Sequence, residues 1–248
     1  MPKLPAIAAV DLPALFLDFD GTLVDIVAHP DLTRVSPPLI KLLEDIYHHL
    51  DGALAIISGR SLDDLDRLLT PLKLPAAGVH GIEHRDATGH IESRCRVAIP
   101  ANVYRQLETL AASDPGLILE DKGYSLGMHY RLAPGLETTV RSTFEDISAM
   151  LGPEFSIQDG KMVLELRPSG INKGSAIEKF MSDAPFSGRH VIFIGDDITD
   201  EDGFSAANRL GGYSIKVGAA DSGSAARYTL DDVSDVHAWL MPVSGRSI

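Results

Sequence analysis

The stretch Ala14 to Val24, ALFLDFDGTLV, runs from an apolar segment straight into two aspartates, a glycine and a threonine. A short continuous apolar run is the pattern of a strand buried on both faces of a parallel sheet, and Gly21 stops it. In open α/β sheets ligands bind in the crevice outside the carboxyl ends of the strands, so Asp18 and Asp20 fall where chemistry is done. Strand period puts the two on one side if the extended conformation lasts as far as Asp20. Like charges roughly 4 Å apart repel by about 4 kcal/mol at an effective dielectric near 20, and a shared proton, a basic residue or a metal ion must offset that. The other reading is that one aspartate caps a turn around Gly21 and Thr22.

Outward from this stretch the same design recurs. Ala53 to Ile57 ends at Ser58-Gly59-Arg60, ahead of helical spacing in Leu62, Leu65, Leu68 and Leu69. A hydroxyl with backbone N–H groups at a strand-to-helix turn makes a phosphate cradle; otherwise Ser58 merely caps the helix. His190 to Ile194 runs into Gly195-Asp196-Asp197-Ile198-Thr199-Asp200-Glu201-Asp202-Gly203. Helix capping accounts for Asp200 to Asp202, but Asp196 and Asp197 at the strand end suit a hard cation such as Mg²⁺. Lys173, just ahead of the helical stretch Ser175 to Met181, sits at the positive end of a helix and so invites an anion. Pro75 to His84, Tyr213 to Val217 and Arg227 to Leu230 read as further strands, and a hairpin is expected between Ile82 and Val97. Pro37 to Leu50 reads as a helix with His48 and His49 on its surface. The expected core is an α/β, Rossmann-like, doubly wound parallel sheet.

From Ala101 the pattern changes to helix, strand, strand, twice over, which predicts an antiparallel α+β unit with helices on one face. Residues 101–166 are taken as an inserted cap, and residues 1–100 and 167–248 as the core. Charged and polar residues on or beside the cap strands include Glu120, Lys122, His129, Arg131 and Glu165.

At 248 residues and 44% apolar content the chain can bury a substantial core. Its formal net charge of −13 and lack of a basic run exclude a nucleic-acid footprint. Cys95 is the single cysteine, expected buried and inert, so no intramolecular disulfide forms. The opening MPKLPAIAAV reads as a short lead-in, and no apolar run approaches a membrane span. A soluble, cytoplasmic monomer is expected.

Four segments in order, DxDGT, SGR after a strand, NKG and GDDxTDE, resemble the four motifs of the haloacid dehalogenase-like (HAD) phosphatases. That resemblance implies an aspartyl-phosphate intermediate on Asp18, Mg²⁺ held by Asp18, Asp196 and the Asp20 carbonyl, and Asp20 as general acid and base. It implies Ser58 and Lys173 on the phosphoryl oxygens, Thr22 assisting Asp20, and Asp197 and Asp200 supporting metal and lysine. LDFDGTL, IISGR, GVHGIEHR, EDKGYSLGMHYR, ELRPSGINKG and GDDITDEDGF are further similar to the trehalose-6-phosphate phosphatase family, over nearly the whole chain. This closer likeness implies hydrolysis of trehalose 6-phosphate to trehalose, the last step of trehalose biosynthesis. Sugar and phosphate contacts are implied from Glu120, Lys122, His129, Arg131 and Glu165 of the cap and from Glu83, His84, Gly21, Thr22, Gly59, Arg60 and Asn172 of the core. No sugar-transferring domain accompanies these motifs, so another protein is expected to make the substrate. A phosphatase or phosphomutase for another sugar phosphate, and a non-catalytic sugar-phosphate sensor, are the alternatives.

Overall fold

A computed structural model of the chain describes residues 4–27, 32–94, 98–160, 162–219 and 223–244. Cys95, and with it the expected state of its thiol, lies outside these residues. The chain separates into two units, Met1–Arg94 with Asn172–Ile248, and Cys95–Ile171. The second extends a few residues beyond the expected 101–166 because its last strand continues to Pro168, which pairs with Phe155.

The first unit holds strands β1 (Pro13–Leu17), β2 (Leu54–Ile57), β3 (Ala76–Gly78), β4 (Glu83–Arg85) and β5 (Ile91–Ser93), with helices α1 (Pro37–His49) and α2 (Leu62–Leu69) between them. The second contributes α3 (Ala101–Ala111), β6 (Ile118–Asp121), β7 (Leu126–His129), α4 (Glu137–Leu151), β8 (Phe155–Gly160) and β9 (Val163–Pro168). The chain then returns through α5 (Lys173–Met181), β10 (His190–Gly195), α6 (Glu201–Arg209), β11 (Tyr213–Val217), β12 (Tyr228–Leu230) and α7 (Val233–Leu240).

In the first unit eight strands order as β12-β11-β10-β1-β2-β3-β4-β5, parallel from β12 to β3 and antiparallel at β4 and β5. Residues 14–17 of β1 are all fully buried, as both faces of a parallel sheet require. Helix starts follow local chemistry. Ser36 accepts a bond from Leu39 N with Pro37 next to it, Ser61 from Asp64 N, and Asn172 forms a reciprocal box with Ser175.

Register decides what meets at the strand ends. Leu17 lies opposite Ile194 and opposite Ile56, so the residues following β1, β10 and β2 emerge side by side. Asp18 N donates to Ile194 O at 2.9 Å, which seats Asp18 beside Gly195 and Asp196.

The second unit is a four-stranded antiparallel sheet, β6-β7-β9-β8. Alternation gives it one apolar face, where Leu126, Met128, Leu164 and Leu166 cluster with Val103, Leu107, Val140, Phe144 and Ile147 of α3 and α4. No helix among the described residues is long and apolar enough to cross a membrane.

Candidate active site

Asp18, just past the end of β1, is 5% exposed, and its Oδ1 accepts a hydrogen bond from Lys173 Nζ at 2.7 Å. The same ammonium donates to Asp200 Oδ1 at 2.6 Å, and both partners are buried. Lys173 is the first residue of α5, so the helix fixes its backbone while two carboxylates hold its tip. Asp200 is fully buried, and its second oxygen accepts from the backbone N–H groups of Asp196 and Asp197, each at 3.0 Å. Capping alone therefore understates Asp200: it ties the lysine to the loop after β10.

Carboxylate oxygens of Asp18, Asp196 and Asp200 lie within 4.8 Å of one another. Burial pushes the Asp18 carboxyl well above the usual carboxylate range, the Asp200 charge pushes the same way, and Lys173 pulls back. Asp196 is raised to about 6, first by burial and then by Asp200. Burial works against the Lys173 ammonium, but the charges of Asp18 and Asp200 outweigh it and the net direction is upward. Three acids thus face one lysine in a poorly solvated place, and a further cation would relieve them.

The donor set fits a metal ion. Asp196 Oδ1 is buried without a hydrogen-bond partner among the described residues. Gly21, at φ +83°, lies so near that a Cβ on it would overlap the Asp196 carboxylate. An all-oxygen site of this kind suits a hard divalent cation.

The Asp20 carboxylate does not join this cluster, because the extended conformation on which its alignment with Asp18 depended ends before it. The chain turns after Phe19, and the Asp20 carboxylate accepts from Arg60 Nε at 2.6 Å and from Arg60 Nη2 at 2.7 Å. Each aspartate of the pair therefore has its own cation, and Arg60, expected on substrate, grips Asp20. Thr22 does not pair with Asp20 either; its hydroxyl is buried without a partner among the described residues.

Ser58 is buried beside β3, and its Oγ accepts from Arg60 N at 3.1 Å, which leaves its own O–H to donate. The cap of α2 is Ser61, not Ser58. Gly59 must be glycine, since a Cβ there would sit 2.8 Å from the His80 ring. His80 is a residue the sequence patterns missed. It and Val79 hold φ of 55° and 47°, a conformation a β-branched residue adopts only under constraint. Thr33 was missed too; its Oγ1 accepts from Arg60 Nη2 at 2.8 Å.

Other expected contacts have structural partners. Glu83 accepts from Leu62 N at 2.7 Å and so stabilises the start of α2. His84, its neighbour in β4, points the opposite way, buried with its ring 4.2 Å from Phe180 of α5. It lines a separate cavity of about 320 Å³ with Asp86, His90, Glu92 and Lys179, and the structure does not bring it to the Asp18 cluster. Burial lowers its pKa to about 4. Asn172 Oδ1 is engaged by Ser175 N, and Asp197 caps the turn that follows it, accepting from Ile198 N at 2.7 Å.

In the second unit the face opposite the apolar one carries a connected polar group. Glu120, Gly127, Glu165 and Gln158 lie in one rank across four strands. His129 Nε2 pairs with Glu120 at 2.9 Å, Lys122 donates to Glu165 at 3.2 Å, and the buried Ser125, also missed, donates to Glu165 at 2.5 Å. Arg131 is exposed in the turn after β7.

A mostly parallel sheet whose central strand delivers a buried aspartate to a lysine and two further acids, in a chain interrupted by an α+β insertion, is the HAD-like fold. A solved HAD-superfamily phosphatase from Bacteroides thetaiotaomicron shares this fold at TM-score 0.66 and 17% identity, over 98% of each chain. A family model described as trehalose-phosphatase matches residues 16–234, and the chain belongs to that family. It is 44% identical to the trehalose-6-phosphate phosphatase of Escherichia coli K12, over 92% of this chain and 85% of that one. It also superposes on a solved trehalose-6-phosphate phosphatase related protein at TM-score 0.72 and 27% identity, over 93% and 96% of the two chains.

Proposed function

We propose that the chain hydrolyses trehalose 6-phosphate to trehalose and inorganic phosphate, with Asp18 as nucleophile. The observation that supports this most is the buried Asp18–Lys173–Asp200 arrangement with Asp196 beside it, in a chain of this family.

An Asp18 oxygen attacks phosphorus, and the bond from phosphorus to the sugar 6-oxygen breaks. Asp20 gives its proton to that oxygen, then takes one from the water that attacks the aspartyl-phosphate, releasing phosphate and restoring Asp18. The Lys173 ammonium and the Ser58 hydroxyl donate to the phosphoryl oxygens, whose negative charge is the main obstacle to attack by an anion. Asp18, Asp196 and the Asp20 carbonyl would hold Mg²⁺, which neutralises charge on the phosphoryl group when bound. Glu120, Lys122, His129, Arg131 and Glu165 supply carboxylates and donors suited to sugar hydroxyls.

Phosphate release across trehalose 6-phosphate, sucrose 6-phosphate and hexose phosphates tests the assignment. Trehalose 6-phosphate is expected to have the highest kcat/KM; a hexose phosphate in first place would overturn it.

A further inference from the structure

We infer that Arg60 is a positioning residue for Asp20 and not a holder of the substrate's phosphate. The inference rests on the hydrolase reading above and assigns one of its residues a different role.

A guanidinium has two edges that can grip an oxyanion in bidentate fashion, an end-on edge between its two Nη atoms, which on Arg60 shares the Nη2 that donates to both Asp20 and Thr33, and a side-on edge formed by Nε and one Nη. On Arg60 the side-on edge is taken by the two oxygens of Asp20, at 2.6 and 2.7 Å. Nη2 also donates to Thr33 Oγ1 at 2.8 Å, Thr33 is buried, and the guanidinium carbon lies 5.7 Å from the centre of the Phe19 ring. The Arg60 side chain is 9% exposed, whereas that of Asp20 is 36% exposed. Arg60 is therefore the fixed half of the pair. The loop bearing it is held from below, since Arg60 N donates to Ser58 Oγ and Arg60 O accepts from Val79 N.

Lys173 is engaged differently: its ammonium lies in the acidic cluster with Asp18, while the Arg60 fork is directed at the acid–base carboxylate. Two anions compete for this guanidinium, Asp20 and an incoming phosphate. Asp20 already has the bidentate geometry, and the buried Thr33 hydroxyl and the Phe19 face hold the guanidinium in the place where it meets Asp20. The fork thus sets where the Asp20 carboxylate stands when it must meet first the sugar oxygen and then water. A group misplaced by about 1 Å costs on the order of 100-fold in rate.

A double-mutant cycle decides it. Arg60→Met, Asp20→Ala and the double variant are assayed on trehalose 6-phosphate, with p-nitrophenyl phosphate in parallel and inorganic phosphate as competitive inhibitor. Arg60→Met is expected to lower kcat about 10- to 100-fold and to leave the phosphate inhibition constant within about threefold. In the Asp20→Ala background the same change should cost less than about threefold, because the partner through which Arg60 acts is gone. An undiminished loss in that background, or a tenfold weaker phosphate inhibition, overturns the inference and makes Arg60 a phosphate ligand. Should Arg60→Met not fold, Arg60→Lys, which keeps the charge and loses the fork, runs the same cycle with the same two outcomes. If the wild type turns over p-nitrophenyl phosphate but not trehalose 6-phosphate, the substrate assignment fails while the cycle on the aryl ester still decides the role of Arg60.

Discussion

Two polar clusters, one in each unit, are built on opposite principles. Around Asp18 the charges are buried and interlocked: Lys173 is 3% exposed and Asp200 fully buried, and each makes short bonds to partners from other elements. On the sheet of the inserted unit the outer pair lies open, with the Glu120 and His129 side chains 45% and 40% exposed, while Glu165 beside it is 13% exposed. Removing one member of a buried ion pair leaves the other uncompensated, at several kcal/mol, whereas exposed pairs are worth about 1 kcal/mol or less. The first arrangement can hold reacting atoms still. The second can exchange partners with hydroxyl groups at low cost. On the proposed reading, rigidity serves the chemistry and adjustability the choice of ester.

That contrast breaks if a change in the buried cluster is mild. Asp18→Asn is expected to lower kcat by at least about 10³-fold, because it removes the nucleophile, with a melting temperature close to wild type, because Lys173 keeps the buried Asp200 carboxylate as its counter-charge and the repulsion among the acids falls. Phosphate release and a circular-dichroism melt check both halves. Gly21→Ala comes next: its Cβ must displace the Asp196 carboxylate, so Mn²⁺ affinity followed by electron paramagnetic resonance should fall about 10- to 100-fold. Chelation of the wild type should abolish turnover, and added Mg²⁺ should restore it.

The open cluster should respond through KM and selectively. Glu120→Gln is expected to raise KM for trehalose 6-phosphate about tenfold while leaving p-nitrophenyl phosphate within about twofold, since only the first presents sugar hydroxyls. Equal effects on the two esters would remove the division of labour.

His84 gives the smallest effect and concerns stability. Its folded pKa of about 4 lies below the ordinary value, so between about pH 6.5 and 4 the unfolded chain binds the extra proton. The stabilisation is present above pH 6.5 and is lost as the pH falls toward 4. His84→Phe should flatten that part of a urea-denaturation series against pH and leave kcat at pH 7.5 within about twofold.

Most of the catalytic framework is legible in the sequence because short apolar runs fix strands, and strand ends in a parallel sheet converge. Asp18 and Asp196 need only that, and Lys173 is read from its place at the start of a helix. The readings that failed depended on side-chain direction. Asp20 lies beyond the last paired residue of β1, where period two no longer governs, and it turns to Arg60. Glu83 and His84 are adjacent in a three-residue strand and so face opposite sides, toward α2 and α5. Thr33 carries no motif and meets Arg60 only through the fold, 27 residues apart in sequence. His80 left a faint trace in the Val79-His80-Gly81 turn, but its positive φ is a consequence of packing that no local pattern shows.

The nucleophile can be caught directly. The enzyme is mixed with phosphorus-labelled trehalose 6-phosphate and Mg²⁺, quenched in acid within one turnover, and digested for peptide mapping. The label is expected on the peptide containing Asp18, and to be released by mild base as an acyl phosphate should be. Label found only in free phosphate at every quench time, or on a peptide lacking Asp18, would contradict a covalent route through that aspartate.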